Sequence, residues 1–158
     1  MNFPSEVEGY SDSNMVFLAR GTDPNDSAVV NGSLFGLGEQ IGADLRGRRL
    51  AARRVGVTLD YADGGRIARQ AAVRPATAGD PSLFTAARTA LDRAWVRRVR
   101  VRNLRVVCDR LTYPPAQLDL FVEDAAVSQR HDRLMTTLDA IRRRFGPEAV
   151  SFGRTLAA

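Results

Sequence analysis

Residues 53–73 read RRVGVTLDYADGGRIARQAAV, and the first half of that stretch alternates without a slip. Val55, Val57, Leu59 and Tyr61 share one side while Arg54, Gly56, Thr58 and Asp60 share the other, the pattern of a half-buried strand. Asp63-Gly64-Gly65 supplies a tight reversal, so Arg66 to Val73 is the returning strand of a hairpin. Ile67 and Val73 share their parity with Arg69, which predicts a bulge or a sheet edge there. Pro75 is expected to stop the strand, since it cannot donate to the ladder.

A two-stranded hairpin cannot bury its apolar face alone, so the flanking chain must cover it. Downstream, Asp80-Pro81 reads as a cap followed by a first-turn proline. Leu83, Phe84, Ala87, Leu91, Ala94 and Trp95 then continue an amphipathic helix. A strand follows at about Val99 to Cys108, with Leu104, Val106 and Cys108 on one side. Upstream, Asp26 reads as the cap of a helix whose apolar residues Val30, Leu34, Leu37, Ile41 and Leu45 fall on one stripe. Gly32, Gly36 and Gly38 weaken that helix by about 1 kcal/mol each relative to alanine, so it must lean on tertiary packing. Asn14 to Thr22 (NMVFLARGT) has the apolar density of a strand, closed by the turn residues Asp23-Pro24-Asn25-Asp26. The expected fold is α+β: a four-stranded, mostly antiparallel sheet in βαββαβ order, with two helices on one face and the other face open to a partner.

Charge is distributed unevenly along this order. All 23 basic residues are arginines. Met1 to Leu45 is net −6, whereas Arg46 to Arg74 and Arg93 to Arg110 are each net +6. Outward positions of the sheet draw on the two basic blocks, so the open face is expected to be basic. Clustered arginine is the usual footprint of phosphate binding, because the guanidinium fork matches a phosphate geometrically. The plainer account is that arginine is the default surface residue of a chain without lysine.

Beyond the domain lies Pro114-Pro115-Ala116 followed by QLDLF, residues 117–121. The prolines keep the chain extended and forbid a helix through it, and the charge from Leu111 to Ser128 is wholly acidic. Two readings stand: an exposed peptide that waits for a groove on another protein, or a further strand with Leu118 and Leu120 facing in. Ser128 then reads as the cap of a third helix with Leu134, Leu138, Ile141 and Phe145 on one stripe, ended by Gly146-Pro147. Arg142-Arg143-Arg144 reads as a solvated helix end that suits the macrodipole. The organisation expected is a loose leader over 1–13, a domain over 14–111, a linker over 112–128 and a helical tail over 129–158.

The stretches LRGRRLAARRVGVTLDYADG (45–64), VRNLRVV (101–107) and RLMTTLDAIRRRFGPEAVSFG (133–153) resemble the C-terminal little-finger domain and following tail of Y-family translesion DNA polymerases of the polymerase IV and polymerase V types. QLDLF resembles the pentapeptide with which bacterial replication and repair proteins dock on the sliding clamp. The resemblance implies a DNA-binding module of damage bypass, DNA repair and the SOS response, whose partners are primer-template DNA and the bacterial sliding clamp. It implies a phosphate contact from Arg102 and clamp contacts from Gln117, Leu118, Asp119, Leu120 and Phe121; Arg54, Arg69, Arg98, Arg100, Asn103 and Arg105 are the further candidate DNA contacts. Asn103 and Arg105 depart from the family, which often has an apolar or basic residue and a glycine there. An RNA-recognition motif shares the strand order, but no run resembling its aromatic base-stacking signature occurs. An RNA-binding or protein-interaction module is the alternative reading.

Little points to catalysis within these residues. A polymerase needs paired carboxylates to hold two metal ions. Asp60 with Asp63, and Glu123 with Asp124, are better explained as turn and solubility residues. The family's palm, fingers and thumb, and with them its magnesium, would lie N-terminal to this chain. Cys108 is on the apolar parity of a strand and reads as core, and His131 reads as surface. No phosphate-binding glycine loop occurs, so no cofactor or small-molecule substrate is expected. A chain of 158 residues with 44% hydrophobic and 26% charged residues holds one real core plus a tail. Without a membrane-length apolar run or a signal pattern, and with a single cysteine, the expected location is the cytoplasm.

Overall fold

A computed structural model describes residues 14–20, 27–113, 122–146 and 149–150, with side chains placed for 29–113, 130–146 and 149–150. The elements are β1 (Asn14–Arg20), α1 (Ser27–Gly47), β2 (Ala52–Tyr61), β3 (Arg66–Thr77), α2 (Asp80–Ala94), β4 (Val101–Asp109) and α3 (Val122–Phe145). Antiparallel strands and three helices make the fold α+β, as the alternation predicted. Backbone pairing runs in the order β1-β4-β2-β3, with every pairing antiparallel.

The core forms where the period-2 and period-3.6 patterns meet. Val55, Val57, Leu59 and Tyr61 of β2 are buried, as are Leu104, Val106 and Cys108 of β4. Against them lie Val30, Leu34, Leu37, Ile41 and Leu45 of α1 and Leu83, Ala87, Leu91 and Ala94 of α2. Both helices therefore cover one face. The Tyr61 hydroxyl donates to the Ala94 carbonyl at 3.1 Å, which satisfies its one polar atom inside the core. Cys108 belongs to this core, and burial pushes its thiol up to about 12.

Several expectations need correcting. β3 does not stop at Pro75 but continues to Thr77. Its pairing is regular from Arg66 to Ala72, the irregularity lies beyond, between Arg54↔Ala72 and Ala52↔Thr77, and of the expected bulge or edge it is the edge that holds. As an edge strand, β3 can carry a proline whose missing N–H faces away from the ladder. β4 spans Val101–Asp109 rather than beginning at Val99. α2 ends at Ala94, with Trp95 just beyond it. Asp80 is not a cap: Gly79 takes that place and Asp80 opens the helix as a residue only 1% exposed. The predicted cap Asp26 and the leader 1–13 lie outside the described residues.

α3 departs furthest from its reading. It begins at Val122, so Ser128 lies within it. Leu134 and Phe145 of the supposed buried stripe are 51% and 68% exposed, whereas Met135 is 1% exposed. On the Met135 side, Asp139 and Arg142 face α1. Arg46 of α1 donates to both Asp139 oxygens, at 2.6 and 2.9 Å, and through Nη1 to Asp80 Oδ1 at 2.5 Å and the Ala78 carbonyl at 2.6 Å. Arg142 donates to Glu39 Oε1 at 2.6 Å and to the Val150 carbonyl at 3.0 Å, so it is not a solvated helix end. His131 is half-buried rather than at the surface. Leu138 and Ile141 of the expected stripe are half-buried, and ion pairs to Arg46 and Glu39 join Met135 in fastening this helix to the domain.

Gly42 makes room for that network. A Cβ there would stand 2.0 Å from Asp80 Oδ1 and 2.9 Å from Arg46 Nη1. Gly42→Ala would gain about 1 kcal/mol of helix propensity but must displace a buried ion pair. The expected net result is a loss of about 1–3 kcal/mol, read from the urea midpoint.

Candidate nucleic-acid interface

The uncovered face of the sheet is built from outward positions that register places in rows. Asp109, Arg54 and Ala72 form one row, and Val107, Gly56 and Gln70 the next. Then come Arg105, Thr58 and Ala68, and finally Asn103, Asp60 and Arg66. The middle rows carry Gly56 and Thr58 on β2 with Gln70 and Ala68 on β3, so along β2 this face lies close to its own backbone. No helix among the described residues packs on it.

This face is less basic than its arginines suggested. Arg54 donates Nε and Nη2 to the two oxygens of Asp109, both at 2.6 Å, a bidentate pair across β2 and β4. These hydrogen bonds raise the Arg54 guanidinium above its ordinary pKa. Arg66 donates Nε to Asp60 Oδ1 at 2.5 Å, and Asn103 donates to Asp60 Oδ2 at 3.4 Å. The hydrogen bond from Arg66 holds the Asp60 carboxyl below its ordinary value, against an opposing push from burial. At each end of the face, an aspartate thus occupies an arginine.

Of the residues proposed from sequence, Arg54, Asn103 and Arg105 are brought together on this face. Arg102 joins them by an irregularity: Asp60 pairs with Asn103 but Tyr61 pairs with Val101, leaving Arg102 as the extra residue of a bulge, a feature that re-aims a side chain. It is exposed and lines a shallow concavity with Asp60, Tyr61, Gly64, Arg66 and Asn103. Arg98 and Arg100 are exposed on the loop leading into β4. Arg69 stands apart, because its partner Val57 is buried, which gives it the parity of the helix-covered side at the sheet edge. Gln117 to Phe121 lie outside the described residues.

The hairpin tip beside the concavity is held tightly. Gly64 has φ +86°, a left-handed conformation that favours glycine. Asp63 accepts from the Gly65 N–H at 3.0 Å and pairs with Arg97. The Arg97 guanidinium stands 5.3 Å from the centre of the Tyr61 ring. Asp60 and Asp63 therefore hold arginines and a turn. Sequence reading missed Arg66, whose partner Asp60 is set opposite it by the hairpin register.

Residues 19–120 match the impB/mucB/samB family C-terminal domain. No curated protein sequence matches the chain. Among solved structures, it is similar to the Y-family DNA polymerase chimera Dbh-Dpo4-Dbh at 14% identity, covering 68% of this chain and 31% of that one, with TM-score 0.49. DinB from Sulfolobus solfataricus is similar at 15% identity, 61% and 28% coverage and TM-score 0.48. A little finger domain of PolIV, solved in complex with the beta-clamp processivity factor, is similar at 17% identity, 69% and 97% coverage and TM-score 0.45. The chain thus spans about a third of the length of the first two.

Proposed function

Because the chain belongs to the impB/mucB/samB family through its C-terminal domain, we propose that it is the little finger of a Y-family translesion polymerase, gripping primer-template DNA through its backbone while the linker engages the sliding clamp. The observation that carries the DNA part is the uncovered sheet face, with the exposed Arg98, Arg100 and Arg102 gathered at its hairpin end. Gly56 and Thr58 on β2 let a phosphate backbone approach, and the outward rows of β2, β3 and β4 present no aromatic platform for stacking bases. Contact is therefore with phosphates, without sequence preference. The same reading takes the fold as a complete βαββαβ unit, supported by the backbone pairing of β1 with β4. Polymerisation, on this reading, belongs to other domains of a longer polymerase.

Clamp engagement rests on QLDLF at 117–121, placed between the end of the sheet and α3. DNA binding is tested by fluorescence anisotropy over a salt series. With about five phosphates neutralised, log K against log salt should slope at about −4.5, from 0.9 per contact. Arg102→Ala should weaken all duplex sequences alike and reduce the slope by about one. A flat salt response, or no binding at low salt, would overturn the reading.

A further inference from the structure

We propose that Asp60 and Asp109 set the strength of the nucleic-acid grip by occupying Arg66 and Arg54, so that a phosphate must displace a carboxylate at each end of the sheet face. The inference rests on the DNA-binding reading given above and goes beyond it by assigning two residues that weaken binding.

Aspartate is a poor strand residue, yet these two stand at outward positions of β2 and β4. They are the acidic residues in the four outward rows of β2, β3 and β4, and each meets an arginine of a neighbouring strand. Asp109 takes the whole fork of Arg54 in a bidentate pair. Asp60 takes Nε of Arg66, whose side chain is 64% exposed, and is steadied on its other oxygen by Asn103. The Arg66–Asp60 pair, exposed on its arginine side, adds little to stability, so a role in folding does not account for it. The guanidinium geometry that suits these carboxylates is the geometry that suits a phosphate.

Arg54 and Arg66 lie in rows six residues apart on β2, about 20 Å along the strand, so they meet different phosphates. When either arginine turns to DNA, it leaves a bare carboxylate facing the same backbone. That repulsion, and the cation the carboxylate then attracts, cancel much of what counterion release would contribute. The outcome is a grip that stays weak and lets the duplex slide through.

The test uses the full chain and a labelled mixed-sequence duplex, with anisotropy across a salt series. Asp60→Asn and Asp109→Asn keep side-chain volume, and melting curves check that each variant folds. Each should bind about eightfold more tightly at 0.1 M salt, with a slope steeper by about 0.9, as one further phosphate contact requires. Asp92→Asn removes the same charge from an exposed position on α2 and should change binding by less than about twofold. In an Arg66→Ala background, Asp60→Asn should no longer steepen the salt slope by about 0.9, and the gain left from relieved repulsion should fall well short of eightfold. If the parent chain binds but the two variants gain no more than Asp92→Asn, or if the full gain of about eightfold with its steeper slope survives without Arg66, the inference is wrong and the DNA reading stands. If neither parent nor variants bind at low salt, the DNA reading itself fails. The two sites lie in different rows, so loss of folding in one variant leaves the other to decide.

Discussion

Replacing Arg46 with methionine should lower folding stability by about 3–5 kcal/mol, because it leaves the Asp80 carboxylate buried without its cation. At about 2–4 °C per kcal/mol for a chain of this size, the melting temperature should fall by roughly 10 °C. Burial works against the charge on Arg46, but the hydrogen bonds to Asp139 and Asp80 outweigh it and raise the guanidinium pKa. For Asp80, burial raises the carboxyl pKa above the ordinary 3.8 even with Arg46 pulling it down. Without Arg46 it must rise further. The folded chain then holds a proton that the unfolded chain has released, so stability falls as pH rises from the ordinary carboxyl value through the raised one. The deficit of the variant against its parent should thus be largest near neutrality and shrink on acidification towards about pH 4. Asp60 is shifted the opposite way, but it is present in both chains and cancels in the difference. Adding Asp80→Asn should recover much of the loss at neutral pH, since a buried amide costs less than an unpaired carboxylate. Hydrogen exchange should also quicken along α3, which loses its pair with Asp139. An unchanged urea midpoint for Arg46→Met would show that the network contributes nothing.

That network also marks where sequence reading ran out. Alternation and helical spacing report apolar burial, and they recovered every core face of α1, β2 and β4. They are blind to a helix held by ions. On α3 the expected stripe of Leu134, Leu138, Ile141 and Phe145 held only for its half-buried middle, while Met135, Asp139 and Arg142 face the domain. Asp80 looked like a cap because Asp-Pro at a helix start usually is one, but the distant Arg46 claimed it. The one local signal was Gly42, a residue without a side chain beside two charged ones. On the sheet face, arginine clustering was legible from composition, whereas the neutralising partners depended on register. Asp60 meets Arg66 only once the hairpin is closed, and Asp109 meets Arg54 across strands that sequence alone does not pair.

Truncating both Leu120 and Phe121 to alanine should leave the melting temperature within about 2 °C of the parent and weaken clamp binding by at least about 100-fold. The stability half follows from the contacts on either side of the segment. Thr112 exchanges backbone hydrogen bonds with Ala51, at 2.8 and 2.9 Å, just before it, and α3 is fastened to α1 after it. The core of the described residues is made by α1, β2, β3, α2 and β4. Two prolines and an acidic flank also argue against a central strand there. If Leu118 and Leu120 were core residues, each large-to-small change would cost about 2–5 kcal/mol, and the double variant would melt far below the parent. The binding half follows from the apolar Leu-Phe end of QLDLF, since a few buried anchors carry most of the energy of such contacts. A peptide spanning Pro114 to Asp124 should bind a bacterial clamp by itself, though less tightly than the full chain on clamp-loaded DNA, where a second contact raises the effective concentration. Calorimetry of that peptide, beside melting curves of the double variant, separates the two readings. A stable variant with lost binding supports docking through the linker, whereas a melted variant with a silent peptide makes the segment part of the fold.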